Sequence, residues 1–523
     1  MAKSGPDRRS LLTGAGGLAL FAGLARSPVR AAPAFQSDPF SLGVAAGDPL
    51  PGGFVIWTRL APKPLEPHGG MTPEAVTVRW EVAEDEGFGR IVRSGEALAR
   101  PELAHSVHVE VEGLKPARPY WYRFFVDGAA RSETGTAKTA PLPGVMPVRL
   151  RIVNAGCQSY PHGWYDAWRY ISREPDLDAV FHYGDYIYEY GATNKIIKDE
   201  TGRVVDRQHI GGEVYSLDDY RRRYAQYKSD PDLRAAHAAA AFIVTFDDHE
   251  VDNDWVSDFD QDGTPPEIFA LRRASAMQAW YEHMPVRRAQ MPRPGGITMY
   301  RRLDYGRLLR IHALDTRTFR SDQLCVKEGQ PNCRRADDPD STVMGAVQEA
   351  WLAEGLRNDA RWNLIAQQVR MMPLLRTGTD KPLALTDQWS GYPAARARLV
   401  KAITDAKLTN VIVATGDAHV HNVGTVPLRD EEIGGPAAAV EFLATSISSD
   451  GDGAPQNKAT ESYRDSPNLA LANAQRGYQR FEITPKEWRT DVNVLDRVQM
   501  RGATLSRLAR FIVTPEQVKL YRS

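Results

Sequence analysis

Four short apolar runs in this chain each end in side chains that bind cations. They span Arg149–Cys157, Ala179–Tyr188, Ala241–Glu250 and Asn410–His421. β-Branched runs of this length suit strands buried on both faces. In open α/β sheets, ligands bind beyond the carboxyl ends of such strands. Those ends carry Cys157, Asp185, Tyr188, Asp247, Asp248, His249, Asp417, His419 and His421. Acids packed together repel one another unless a cation joins them. The pattern therefore predicts an α/β domain built around a metal centre.

The chain has 523 residues, more than one ordinary domain needs. Its 42% hydrophobic and 25% charged residues allow a packed core and exclude bulk disorder. A net charge of −1 provides no basic footprint, so no specific nucleic-acid partner is predicted. Residues 35–140 differ in character from the rest of the chain. Gly53–Thr58, Val76–Val82, His105–Val111 and Trp121–Val126 read as alternating strands between Gly, Pro and Asp turns. Gly113 to Tyr120 and Tyr122 resemble a tyrosine corner. We expect a small fibronectin- or Ig-like β-sandwich over 35–140, closed by the Pro-rich segment Thr139–Gly144.

Over 148–523 strands alternate with helices. Helices are expected at Gly163–Ser172, Leu217–Lys228, Glu267–His283, Gln348–Arg357 and Ala394–Thr404, with a capping box at Ser216–Asp219. Further strands are expected at Leu308–Leu314, Asn363–Val369, Val440–Thr445 and Gln479–Ile483, then in the Trp488–Tyr521 tail. Gly191–Ser216 and Asp322–Met344 are too long for simple connections and are expected to lie over the active-site edge.

Residues 1–34 read as a twin-arginine signal peptide. Arg8-Arg9 precedes a mildly apolar, Gly-rich stretch that ends in small residues. This predicts export through the twin-arginine translocation machinery to the periplasm or beyond. That segment holds five basic and one acidic residue, so its loss changes the net charge from −1 to −1 − 4 = −5. Cys325 and Cys333 sit in a polar loop where a local disulfide closes easily. Cys157, at a strand end among carboxylates, reads as a thiolate metal ligand.

The proposed chemistry rests on convergence. Asp185 and Tyr188 are three apart, so one turn aims both at one ion. A phenolate, a thiolate and a carboxylate suit Fe³⁺ better than Zn²⁺. Asp248 is placed to bind or bridge a second cation. Asp417 and His419 come from the fourth strand end. A metal-bound water deprotonates near neutral pH, and paired cations clamp a phosphoryl centre. His249 is placed to protonate a leaving group or bond phosphoryl oxygens, unless it only orients a ligand. Asp315–Arg320 adds a fifth strand end, from which Arg320 is expected to clamp phosphate while Arg317 pairs with Asp315. Trp389 and Tyr392 either line the substrate mouth or anchor packing. His421 reads as a support to a ligand.

These residues resemble the PhoD-like alkaline phosphatase/phosphodiesterase family, related in its core to purple acid phosphatases. The resemblance runs through Asn154–Gln158, Gly184–Glu189, Asp247–Asn253, Leu314–Arg320, Gly416–His419 and Phe442–Ser449. It implies a four-layer αββα metallophosphoesterase sandwich behind the N-terminal β-domain. It implies Fe³⁺ with Ca²⁺ alongside. Cys157, Asp185 and Tyr188 are placed around iron, Asp248 and Asn253 near the neighbouring metals, and Asp417 and His419 among them. The implied activity is alkaline hydrolysis of phosphate mono- and diesters by a metal-bound oxygen nucleophile. Phosphate-ester small molecules, including phospholipids or nucleotides, are the implied substrates. The alternatives are a phospholipase D-like or nucleotide phosphodiesterase with little monoesterase activity, and a non-enzymatic phosphate- or metal-binding protein. Two positions depart from the family pattern: Ser390 stands where relatives carry aspartate, and Asp254 where a second asparagine is usual.

Overall fold

Two large mixed sheets form the body of the molecule. The structure, a computed structural model, describes residues 35–126, 130–294, 296–325, 333–334, 338–383 and 385–523. The expected signal peptide lies outside the described residues.

The first sheet has ten strands. At its centre Leu150–Ala155, Ala179–His182 and Ala241–Val244 run parallel. The antiparallel C-terminal strands Gly477–Ile483, Trp488–Leu495, Leu505–Thr514 and Gln517–Arg522 extend it on one side. The second sheet has seven strands, with Leu309–Ala313, Trp362–Ala366, Val411–Thr415 and Ala437–Leu443 parallel at its centre.

The side-chain period of two explains the unbroken apolar runs. Ile152, Phe181 and Ile243 of the first sheet share one cluster with Ile311, Leu364, Ile412 and Phe442 of the second. Their neighbours Val153, Val180, Phe242 and Val244 point the other way, onto Trp168, Tyr224, Leu233 and Trp280. Across the molecule, Ile365 and Val413 pack against Leu352, Leu399 and Ile403. Both faces of each central strand are therefore dry.

The expected helices form at Asp166–Ile171, Leu217–Lys228, Pro266–His283, Gly345–Gly355 and Pro393–Asp405. Ser216 and Asp219 close the capping box reciprocally. Two helices escaped the sequence reading: the short Lys458–Glu461 and Pro231–Ala239, the latter capped by Asp230, whose carboxylate accepts from Asp232 and Leu233 N–H. Strands Arg301–Tyr305, His421–Pro427 and Leu469–Asn473 were likewise not anticipated.

The N-terminal region differs in one respect from a free-standing sandwich. Val76–Ala83, Ile91–Ala99 and Pro119–Val126 form a separate sheet with two short strands. The tyrosine corner is present, with the Tyr120 hydroxyl accepting from Lys115 N–H at 2.8 Å. The facing layer is not separate. Val44–Leu50 pairs in parallel with Ala241–Val244, so Val44–Leu50, Gly53–Arg59 and Ser106–Val111 are the last three strands of the ten-stranded sheet. Val44, Ala46, Phe54 and Ile56 pack against Val78, Val82, Tyr122 and Phe124. No helix among the described residues is long and apolar enough to cross a membrane.

Candidate active site

The central strands of both sheets deliver their carboxyl ends to one place. Cys157 follows Leu150–Ala155, Asp185 follows Ala179–His182, and Asp247 and Asp248 follow Ala241–Val244. Asp417 and His419 follow Val411–Thr415. The chain turns sharply at each end. Cys157, Asp185, Asp417 and His419 all have positive φ, between 52° and 63°. Such backbone costs about 1–3 kcal/mol per residue and persists where the surroundings enforce it. Gly184, at φ 130°, has no alternative, because a Cβ there would meet the Asp247 Cβ at 2.5 Å. The Tyr183 ring packs so close to Gly416 that any side chain at that position would overlap it.

Three groups of ligand atoms result, each within 4.8 Å: Cys157, Asp185 and His419; Asp185, Asp248 and His249; Asp247, Asp248 and Asp417. Asp185 and Asp248 each serve two groups. The Tyr188 hydroxyl joins the first, donating to Asp185 Oδ2 at 2.8 Å and lying 3.0 Å from His419 Nε2. It also accepts from Ser449 Oγ at 2.7 Å.

Left to protein groups alone, this cluster is electrostatically unfavourable. Burial and the neighbouring Asp185 push the Cys157 thiol well above its ordinary value. Burial and Asp185 do the same to the Tyr188 phenol. Burial, then Asp387 and Asp248, raise Asp417 to about 7. Burial favours the neutral form of Asp248, yet Arg317 and His249 outweigh it and hold its pKa low. Asp185 Oδ1 and Asp248 Oδ1 are buried without a hydrogen-bond partner among the described residues, although Arg317 Nη2 lies 3.6 Å from Asp248 Oδ1. Bare carboxylate oxygens in a dry site are costly. A cation held between them would remove that cost and would favour the anionic thiolate and phenolate. The donor set therefore fits bound metal.

His249 stands at the edge of this cluster. Its Nδ1 lies 2.8 Å from Glu189 Oε2, and its ring packs on Tyr188 at 4.1 Å. Burial works against a charge on His249, but Glu189 and Asp248 outweigh it and raise its pKa well above the usual histidine value. With Nδ1 committed, Nε2 remains for other chemistry. His419 is oriented in the same way, with Nδ1 2.8 Å from Asp450 Oδ2. Burial opposes its charge too, while Asp450 and Asp185 raise it to about 9.

The arginines sit differently from expectation. Arg317 pairs through its side chain with Asp247, Nε to Oδ1 at 2.6 Å, and with both oxygens of Asp387 at 2.7 and 2.8 Å. Only its backbone N–H reaches Asp315. The Arg320 side chain has no exposed surface. Its Nε donates to Thr316 O and its Nη1 to Asp387 O and Oδ1. Only Nη2 lacks a partner among the described residues.

Asn253 holds Glu189 through its backbone N–H at 2.9 Å, while its side-chain amide donates to Gln261 at 3.0 Å. Asp254, one of the two departures, donates its N–H to Asp248 Oδ2 at 2.9 Å. Burial and Asp387 raise its carboxyl to about 7. Trp389 and Tyr392 are fully buried and act as packing anchors. His421 lies buried in its strand, pushed by burial to about 3, with Nδ1 accepting from Thr445 N–H at 3.3 Å. Cys325 and Cys333 are disulfide-bonded. Beside them Gln323 donates to Asp387 Oδ1 at 3.0 Å. Sequence reasoning missed Glu189, Asp387 and Asp450 as working parts of the site.

Comparison with known proteins finds relatives over nearly the whole chain. The family profile described as PhoD-like phosphatase matches residues 152–492, and that of its N-terminal domain matches 25–141. The chain is 43% identical to alkaline phosphatase D of Bacillus subtilis (strain 168), covering 98% of this chain and 88% of that protein. A solved structure described as PhoD superposes with a TM-score of 0.88 at 43% identity, covering 94% of this chain and 93% of that one.

Proposed function

The chain belongs to the PhoD-like phosphatase family and is a phosphoric ester hydrolase, and on that premise we propose an exported alkaline phosphatase of mono- and diesters that works with Fe³⁺ and Ca²⁺. The observation that carries the reading is the sharing of Asp185 and Asp248 between candidate ligand groups, each with one buried oxygen that accepts no hydrogen bond among the described residues. Cys157, Asp185 and Tyr188 are the iron ligands in this proposal, because thiolate and phenolate suit Fe³⁺. Asp248, Asn253 and Asp417 hold calcium, whose preference is for oxygen. His419 completes the iron side, beside Tyr188. We read the two sheets and their outer helices as the four-layer αββα arrangement.

When bound, the cations supply Lewis acidity and positive charge at the phosphoryl centre. His249, charged and steadied by Glu189, donates from Nε2 to a phosphoryl oxygen or to the departing oxygen. Asp450 fixes the His419 ring so that Nε2 faces the cluster. Arg317 pairs most closely with Asp247, at 2.6 Å against 3.6 Å for Asp248, leaving Asp185, Asp248 and Asp417 as the cation-facing acids. Enclosed as it is, Arg320 acts through Asp387 more readily than by direct clamping of phosphate. Phosphate-ester small molecules are the substrates. The paired arginines at residues 8–9 and the Cys325–Cys333 disulfide support export to an oxidising compartment by the twin-arginine route.

The test is metal analysis of the pure protein with its visible spectrum, beside mono- and diester hydrolysis. Iron near one per chain, calcium and a visible charge-transfer band that Cys157→Ser or Tyr188→Phe alters are expected. Zinc or manganese without that band would overturn the ligand assignment, and active protein free of metal would overturn the reading.

A further inference from the structure

Three consecutive residues hold His249 from three sides. The Tyr188 ring lies 4.1 Å from it, Glu189 grips Nδ1 at 2.8 Å, and the Tyr190 ring meets it edge-on at 5.5 Å. Tyr188 and Glu189 are buried, but Tyr190 is 42% exposed. The backbone beneath that ring is firmly held. Two buried side chains reach the Tyr190 carbonyl, His209 Nδ1 and Arg223 Nη1, each at 2.7 Å. Arg223 also donates to Gly212 O at 3.0 Å, and Val214 N–H closes onto Glu189 O at 3.0 Å. The insertion from 191 to 216 is thus pinned at its root, at the point where the Tyr190 ring leaves it. A large ring left in water beside a histidine forgoes the gain of burial. Its flat face is suited to stack on another planar group.

We propose that Tyr190 is a specificity-determining residue that stacks the planar aromatic part of the departing alcohol of a phosphate ester, a benzene-like ring or the base of a nucleoside, on the solvent side of His249. This rests on the reading of His249 as the residue that faces the departing oxygen. The ring supplies selectivity for flat leaving groups, and the clamp on its carbonyl fixes where that group sits.

The test compares benzyl phosphate with cyclohexylmethyl phosphate in the metal-loaded protein. The two differ little in size or leaving-group acidity, and mainly in planarity. The wild type is expected to favour the benzyl ester by about tenfold in kcat/KM. Tyr190→Ala should abolish that preference, and Tyr190→Phe should keep it. Metal content is measured in each variant. A preference that survives Tyr190→Ala, or equal losses on both esters, overturns the proposal. So does equal turnover of both esters by the wild type. Hydrolysis of neither ester by wild type overturns the proposal together with the monoesterase half of the proposed function. Adenosine 5′-phosphate against ribose 5-phosphate identifies the source. A Tyr190-dependent ratio there assigns a nucleobase, and its absence assigns a benzene-like ring.

Discussion

Replacing Glu189 by glutamine tests the electrostatic argument about His249 without changing shape. Glu189 is fully buried and accepts two hydrogen bonds, from His249 Nδ1 at 2.8 Å and from Asn253 N–H at 2.9 Å. Glutamine offers one carbonyl oxygen for those two donors. One donor loses its partner, and the charge that favours the histidinium disappears. A hydrogen bond to a charged group is worth about 1.5–3 kcal/mol. At about 1.36 kcal/mol per tenfold in rate, its loss lowers kcat/KM by roughly 10- to 150-fold. The pH profile carries the sharper prediction. Burial alone lowers the His249 pKa and Glu189 is the leading group that raises it. Without that carboxylate the histidinium gives up its proton at lower pH. The alkaline limb of kcat/KM should therefore move toward acid in Glu189→Gln. An unmoved limb with kcat/KM within twofold of wild type would refute the reasoning.

The same geometry sets three further outcomes. Burial raises Glu250 to about 8, and burial with neighbouring acids raises Asp417 and Asp254 to about 7, against roughly 4 in the unfolded chain. Groups whose folded pKa is raised stabilise below the unfolded value and lose that contribution as pH rises through the folded one. The melting temperature of chelated protein should therefore fall as pH rises from about 4 to about 8 and level off above, and added Ca²⁺ should restore it most at the alkaline end; a flat profile between pH 4 and 8 in the chelated protein counts against this. Asp387→Ala leaves the enclosed guanidiniums of Arg317 and Arg320 without their shared carboxylate, and such a break costs about 3–5 kcal/mol. Urea unfolding measures it, and a loss under 1 kcal/mol would show that the arginines find other partners. Replacing Cys325 and Cys333 by alanine opens a loop whose ends are eight residues apart, worth about 2.5 kcal/mol by chain entropy. Because Gln323 bonds Asp387 beside that loop, kcat/KM should fall with stability, and unchanged kinetics would separate the loop from the site.

The strand ends were legible because each apolar run stops at an acid or a cysteine, in three of the four directly after a glycine: Gly156-Cys157, Gly184-Asp185 and Gly416-Asp417. The ligand atoms of Cys157, Asp185, Asp248, Asp417 and His419 do converge. What the sequence concealed were contacts set by tertiary approach. Asp387 lies 70 residues from Arg317, in a loop without periodicity. Glu189 and Asp450 follow motif residues but carry no signal of the histidines that they hold. Arg320 pointed correctly to a strand end, yet spacing says nothing about whether a guanidinium reaches substrate or a carboxylate. Asp230-Pro231 was a readable helix start, an N-cap followed by proline, hidden by its closeness to the preceding helix. Gly53–Arg59 is buried along its whole length, which marks a strand covered on both faces. Read as half of a small sandwich, it gave no hint of the larger sheet that it joins.

That junction decides what can be cut from this protein. Ala241–Val244 lies between two parallel neighbours, one of which is Val44–Leu50. Trimming the chain at residue 148 would strip three strands from this sheet and leave an apolar, hydrogen-bond-hungry margin in the strand that leads to Asp247 and Asp248. Such margins recruit other chains. Residues 44–111 are thus not a passenger that evolution or an engineer can exchange at will. They must be on hand before the sheet is finished, and the long-range pairing that completes it belongs to the slow class of folding events.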